Sequence, residues 1–147
     1  MKRISLLILT TIVCCAVQCV AQPSSVKDAA KSVFRLTTYK ADGSVLSESN
    51  GIFISADGTA VSSLKPFLGA ARATVTDTKG KHGEVSRILG TNEIYDMAKF
   101  KVENIKPEPV NLASTPAKSG DEVWLATYQD NGAKPLSTTV KSVETFM

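Results

Sequence analysis

Cysteine is confined to one stretch of this chain: of 147 residues only Cys14, Cys15 and Cys19 are cysteines, and none follows. Histidine is scarcer, with His82 the sole one. Gly 9 and Pro 6 are too few for a fibrous or low-complexity chain, and 17 Lys+Arg against 14 Asp+Glu is too balanced for a disordered one. The length fits one domain. No run of Lys and Arg supplies the electrostatic footprint of a nucleic-acid binder. A Gly-rich phosphate loop, an internal repeat and a metal-ligand spacing of His, Asp and Glu are all missing, so neither cofactor nor metal is expected. The one adjacent carboxylate pair, Asp121-Glu122, precedes a strand, where neighbours face opposite sides and cannot share an acid/base site.

The N-terminus accounts for much of this bias. Met1-Lys2-Arg3 is basic, Ile4 to Val17 is almost entirely apolar or small, and Val20-Ala21-Gln22 is a small-residue exit. That order is the pattern of a secretory signal peptide over residues 1–21, and the apolar stretch is shorter than the roughly 20 residues of a membrane-spanning helix. None of the three cysteines follows the small residue a lipobox carries. Cleavage after Ala21 removes them all, together with Lys2 and Arg3, leaving 15 basic against 14 acidic side chains and a formal charge of +1. The expected product is exported, periplasmic or secreted, off the membrane after cleavage, and held by a hydrophobic core rather than disulfides.

Residues 22–32 read as a tether or short helix. From Val33 onward strand signals dominate. Val33 to Tyr39 alternates and is rich in β-branched and aromatic residues, and it runs into the turn Ala41-Asp42-Gly43-Ser44. Gly51 to Ser55 reads as a second strand, and Asp57-Gly58 turns it into Thr59 to Ser63. Further strands are expected at Ala71 to Asp77, Glu84 to Leu89, Met97 to Val102, Glu122 to Tyr128 and Ser137 to Val143. Lys79-Gly80, Asn104 to Pro109 and Asn131-Gly132 separate them. Short strands at intervals of about 8 to 12 residues predict an all-β sandwich or barrel. Phe100 and Trp124 are expected in the core, and His82 in a solvated turn.

Four segments occur in an order with further meaning: Asn50-Gly51-Ile52-Phe53-Ile54, Gly58 to Lys65, Asp96-Met97-Ala98-Lys99-Phe100-Lys101-Val102, and Lys118 to Ala126. Together they resemble the first barrel of trypsin-like serine peptidases of the HtrA/Deg type, over about residues 33 to 143. The resemblance implies an antiparallel β-barrel of the chymotrypsin fold over residues 33–147, truncated before a second barrel. It also places Asp96 at the position of the triad aspartate.

The departures from that pattern bear on activity. Lys65 occupies the place of the catalytic histidine, followed by Pro66, and the Gly-[Asp/Asn]-Ser-Gly-Gly nucleophile segment does not occur. In a Ser-His-Asp system the histidine carries the proton and the aspartate orients it. Losing a member of this kind removes on the order of 10⁶ in turnover. A Ser-Lys dyad of Lys65 with Ser62 or Ser63 has no oxyanion hole to serve it. The resemblance therefore implies an inactive binding or scaffold module, with Asp96 vestigial and Lys65 not catalytic. Its expected partner is an extended peptide or protein held by strand addition. The alternative is the front part of an active secreted serine endopeptidase whose second barrel lies beyond this chain. As plain surface residues, Lys65 would be a loop lysine and Asp96 a turn carboxylate capping local amides. The oligomeric state is left open.

Overall fold

A computed structural model describes residues 23–129 and 132–143. The export segment read at residues 1–21 lies outside them, and no described helix is long and apolar enough to cross a membrane. One helix, α1 (Ser24–Ala30), precedes eight strands: β1 (Val33–Tyr39), β2 (Val45–Phe53), β3 (Thr59–Ser63), β4 (Arg72–Asp77), β5 (His82–Asn92), β6 (Met97–Glu103), β7 (Glu122–Gln129) and β8 (Gly132–Thr139). A short 3₁₀ turn, Lys65–Phe67, lies between β3 and β4.

Six strands close into an antiparallel barrel in the order β1-β2-β3-β6-β5-β4, and β4 pairs back onto β1. The all-β barrel expected from spacing and resemblance is therefore what the chain forms. Alternation puts one side chain of every two inside. Phe34, Leu36, Phe53, Ala60, Ala73, Val75, Ala98, Phe100 and Val102 make the core. Phe34 meets Phe53 at 4.6 Å and Phe100 at 6.2 Å between ring centroids, in tilted and edge-on contacts that aromatic quadrupoles favour. Gly51 is required by this packing, since a Cβ there would run into the Phe34 ring and sit 2.8 Å from the Val61 carbonyl oxygen. Gly58 turns β2 into β3 at φ +89°, and a Cβ there would strike the Val102 carbonyl.

Aspartates shape the hairpins. Asp42 accepts the Ser44 N–H at 2.9 Å, Asp57 the Thr59 N–H at 2.9 Å, and Asp77 the N–H groups of Lys79 and Lys81 at 2.8 Å each. Each is the local side-chain-to-backbone turn that aspartate favours. Asp57 also pairs with Lys101 of β6 at 2.9 Å. That lysine, followed by Thr59, holds the Asp57 carboxyl well below the usual carboxylate range.

Several boundaries differ from expectation. β2 begins at Val45 rather than Gly51, because Ser47 to Asn50 pair with β1 although they are polar. β5 reaches from His82 to Asn92, drawn out by pairing with β6 through two register shifts. His82 is thus exposed at the start of a strand rather than in a turn. β8 runs from Gly132 to Thr139 rather than Ser137 to Val143, and Pro135 is tolerated because β8 is an edge strand. Phe100 is fully buried. Trp124 lies outside the barrel core, half-buried in a separate two-stranded sheet, β7-β8, that rests against α1 and β1.

Two outcomes test this packing. Gly51→Ala is expected to lower stability by about 1–3 kcal/mol, through displacement of Phe34, in urea titration. A carboxylate whose pKa is depressed on folding stabilises above its unfolded pKa and loses that contribution as pH falls through the folded value. Stability should therefore decline below about pH 4, and Asp57→Asn should make that acid limb shallower in thermal melts run across pH.

Candidate functional site

The end of the barrel where β3 finishes and β6 begins is built by continuing one ladder. Ser63 pairs with Met97, and one step further the Leu64 N–H donates to the Asp96 carbonyl at 3.1 Å. The chain cannot continue as a strand. Lys65-Pro66-Phe67 coils into the 3₁₀ turn, whose first positions suit proline because no N–H is needed there. Phe67 then docks on Phe100 with centroids 5.1 Å apart, fixing the crossover toward β4 against the core.

Asp96 closes the corner from the other side. Its φ of +49° is a left-handed conformation that aspartate adopts more readily than most residues. The turn before it is held by the Asn92 side-chain oxygen, which accepts the Tyr95 N–H at 3.0 Å. So placed, the Asp96 carboxylate accepts the backbone N–H of Lys65 at 2.9 Å. The structure thus brings Lys65 and Asp96 together at one barrel end, through the lysine's amide rather than its ammonium. Lys65 is exposed, and among the described residues its ammonium makes no ion pair.

His82 is not brought to this corner. It opens β5, while Asp96 lies beyond that strand's other end at Asn92, roughly 30 Å of extended chain away. Its Nδ1 lies 3.0 Å from the Thr76 hydroxyl on the neighbouring strand. Ser62 is buried, and its hydroxyl donates to the Ser63 carbonyl at 3.0 Å, whereas Ser63 is exposed on the opposite face. Chemically the corner holds a carboxylate that accepts an amide, an exposed ammonium and no imidazole. No group of three or more His, Cys, Asp and Glu side chains suited to a metal ion occurs among the described residues.

Among the openings that sequence reading passed over, two lie against the barrel wall. A cleft of about 250 Å³ separates the barrel from the hairpin, lined by Val33, Asn50, Gly51, Ile52, Val61, Ser62 and Ala126. Its only sequence signal is the Gly51-Ile52 step, where a small and a large residue sit side by side. A second opening, also about 250 Å³, lies between β4 and β5 beside Phe67. Its signal is the alanine run Ala70-Ala71, which leaves volume unfilled.

No family model and no curated protein matches the chain. Among solved structures it is similar to the serine endoprotease from Yersinia pestis, with a TM-score of 0.69 and 16% sequence identity over 80% of this chain. The match covers 43% of that structure, so this chain spans less than half its length. At this identity the likeness is one of fold: a closed six-stranded antiparallel barrel of the trypsin-like kind.

The corner's own test is structural. Asp96→Ala should leave the Lys65 amide without its acceptor and lower stability by about 1 kcal/mol. Asp96→Asn, which keeps an acceptor oxygen and tolerates the left-handed backbone, should cost less in the same denaturation experiment.

Proposed function

We propose that this chain is an exported, trypsin-like peptidase module that binds or scaffolds rather than cleaves. The observation that carries the reading is that the residue set against the Asp96 carboxylate is Lys65, whose backbone N–H it accepts, and not a histidine whose imidazole it could orient. Lys65 stands at the position that the HtrA/Deg resemblance assigns to histidine, and the chain's single histidine is strand-bound far from Asp96. With a lysine in place of the proton carrier, what this chain offers of the peptidase design is a barrel with strand edges and clefts. Such a surface suits an extended peptide taken up by strand addition.

The alternative, the front part of an active secreted serine endopeptidase, draws on a different observation. The β7-β8 hairpin stands outside the barrel with its cross-strand pair Leu125 and Leu136 exposed at 58% and 64%, an apolar face suited to further strands. Under that reading the reading frame beyond Met147 encodes Gly-x-Ser-Gly-Gly.

Two measurements check the proposal. The purified chain should remain unlabelled by a fluorophosphonate serine probe, and stoichiometric labelling would overturn it. N-terminal sequencing of the exported product should begin at Gln22, and retention of Met1 in the mature protein would remove the export part.

A further inference from the structure

The barrel is closed, but its seam between β4 and β5 is closed over only part of its length. The two strands pair at Thr74 with Glu84, Val75 with Gly83 and Thr76 with His82, and the ladder stops there. Both strands continue. β4 runs on through Ala73 and Arg72, which pair with β1 on their far side, and β5 runs on to Asn92, paired with β6 on its far side. Between them opens the 250 Å³ groove lined by Phe67, Ala73, Arg72, Val85, Arg87 and Ile88, among others. From Val85 to Asn92 the β4 side of β5 therefore has no ladder partner among the described strands, and its Val85 to Ile88 part lines the groove. An edge of this kind is a template for another extended chain.

The side chains around the groove narrow the choice of occupant. Inside, Phe67, Ala73, Val85 and Ile88 are apolar, and Ile88 is 45% exposed although it is large and hydrophobic. On the rims, Arg72 and Arg87 are both exposed, and no Asp or Glu lines the opening. The Arg72 guanidinium lies 4.4 Å from the centroid of the Tyr39 ring, which holds its plane while leaving its edges available for carboxylates. In a strand added here, alternate side chains would point inward to the apolar floor and outward to the arginines.

We propose that the β4-β5 seam is a peptide-binding groove for an extended segment that alternates apolar and acidic residues, added as a strand to the Val85–Asn92 edge of β5. This rests on the reading of the chain as a peptide-holding module and names where and what it holds. The two register shifts in this part of β5, between Val85 and Arg87 and between Ile88 and Gly90, twist the edge and make it selective for one incoming register.

The test uses the mature chain and three fluorescein-labelled probes: a decapeptide alternating Val and Asp, its Val-Lys counterpart, and unfolded casein, read by fluorescence anisotropy. The Val-Asp peptide should bind at least about tenfold more tightly than the Val-Lys peptide, and raised salt should narrow that difference. Arg87→Glu, a change at an exposed position, should weaken the Val-Asp peptide by about tenfold or more. Hydrogen exchange should slow on binding at the amides of residues 85–92. Protection confined to the β7-β8 hairpin, or binding indifferent to Arg87→Glu, overturns the groove while leaving a peptide-holding module standing. Binding of casein without preference for the acidic peptide does the same. No binding of any of the three overturns both the groove and the peptide-holding reading.

Discussion

Inside the six-stranded sheet the Phe34 ring meets Phe53 in a tilted contact and Phe100 edge to face, and the remaining geometry follows from how the strands close around them. Phe34 comes from β1, Phe53 from β2 and Phe100 from β6, so the cluster ties the first hairpin to the last strand of the barrel. Room for these rings depends on small residues opposite them. Gly51 opposite Phe34, and Ala60 opposite Phe53 and Phe100, supply it, and closure of the barrel removes much of the edge that an open sheet exposes.

The same closure sets the Lys65–Asp96 corner. The β3-β6 ladder carries Phe100 into the core, and its continuation past Ser63 and Met97 brings Leu64 and then Lys65 against Asp96. Phe67 seals the crossover by packing on Phe100 itself. Lys65 and Asp96 are, in this chain, a junction that fastens two strand ends. The carboxylate supplies the turn with an acceptor from a left-handed residue, a role independent of any imidazole.

Much of the barrel was legible in the sequence where residue chemistry and burial agree. β1, β3 and β6 have the bounds their residues suggest to within a residue, because each sends apolar side chains into the core: Phe34 and Leu36 from β1, Ala60 from β3, and Ala98, Phe100 and Val102 from β6. The Asp-Gly turn at residues 57–58 was legible because aspartate and glycine answer distinct backbone needs there. Elsewhere pairing overrode composition. Ser47 to Asn50 join β2 through β1, Gly90 to Asn92 join β5 through β6, and Pro135 lies within β8 because an edge strand tolerates it. Trp124 reads as core by size, yet it belongs to a two-stranded sheet with one layer beneath it. The proximity of Lys65 and Asp96 could be anticipated only from the resemblance, since nothing local links residues 31 apart. The groove between β4 and β5 depends on where a ladder stops, a three-dimensional property with no sequence pattern beyond a run of alanines.

The proposed role is that of a barrel of trypsin-like fold that holds extended chain without cutting it. Incubating the mature chain with unfolded casein at neutral pH, and following the products by intact-mass spectrometry, tests this most directly. Casein should be recovered at its full mass after prolonged incubation. New fragments that disappear with Asp96→Ala would contradict the account, because they would give that carboxylate a part in peptide hydrolysis.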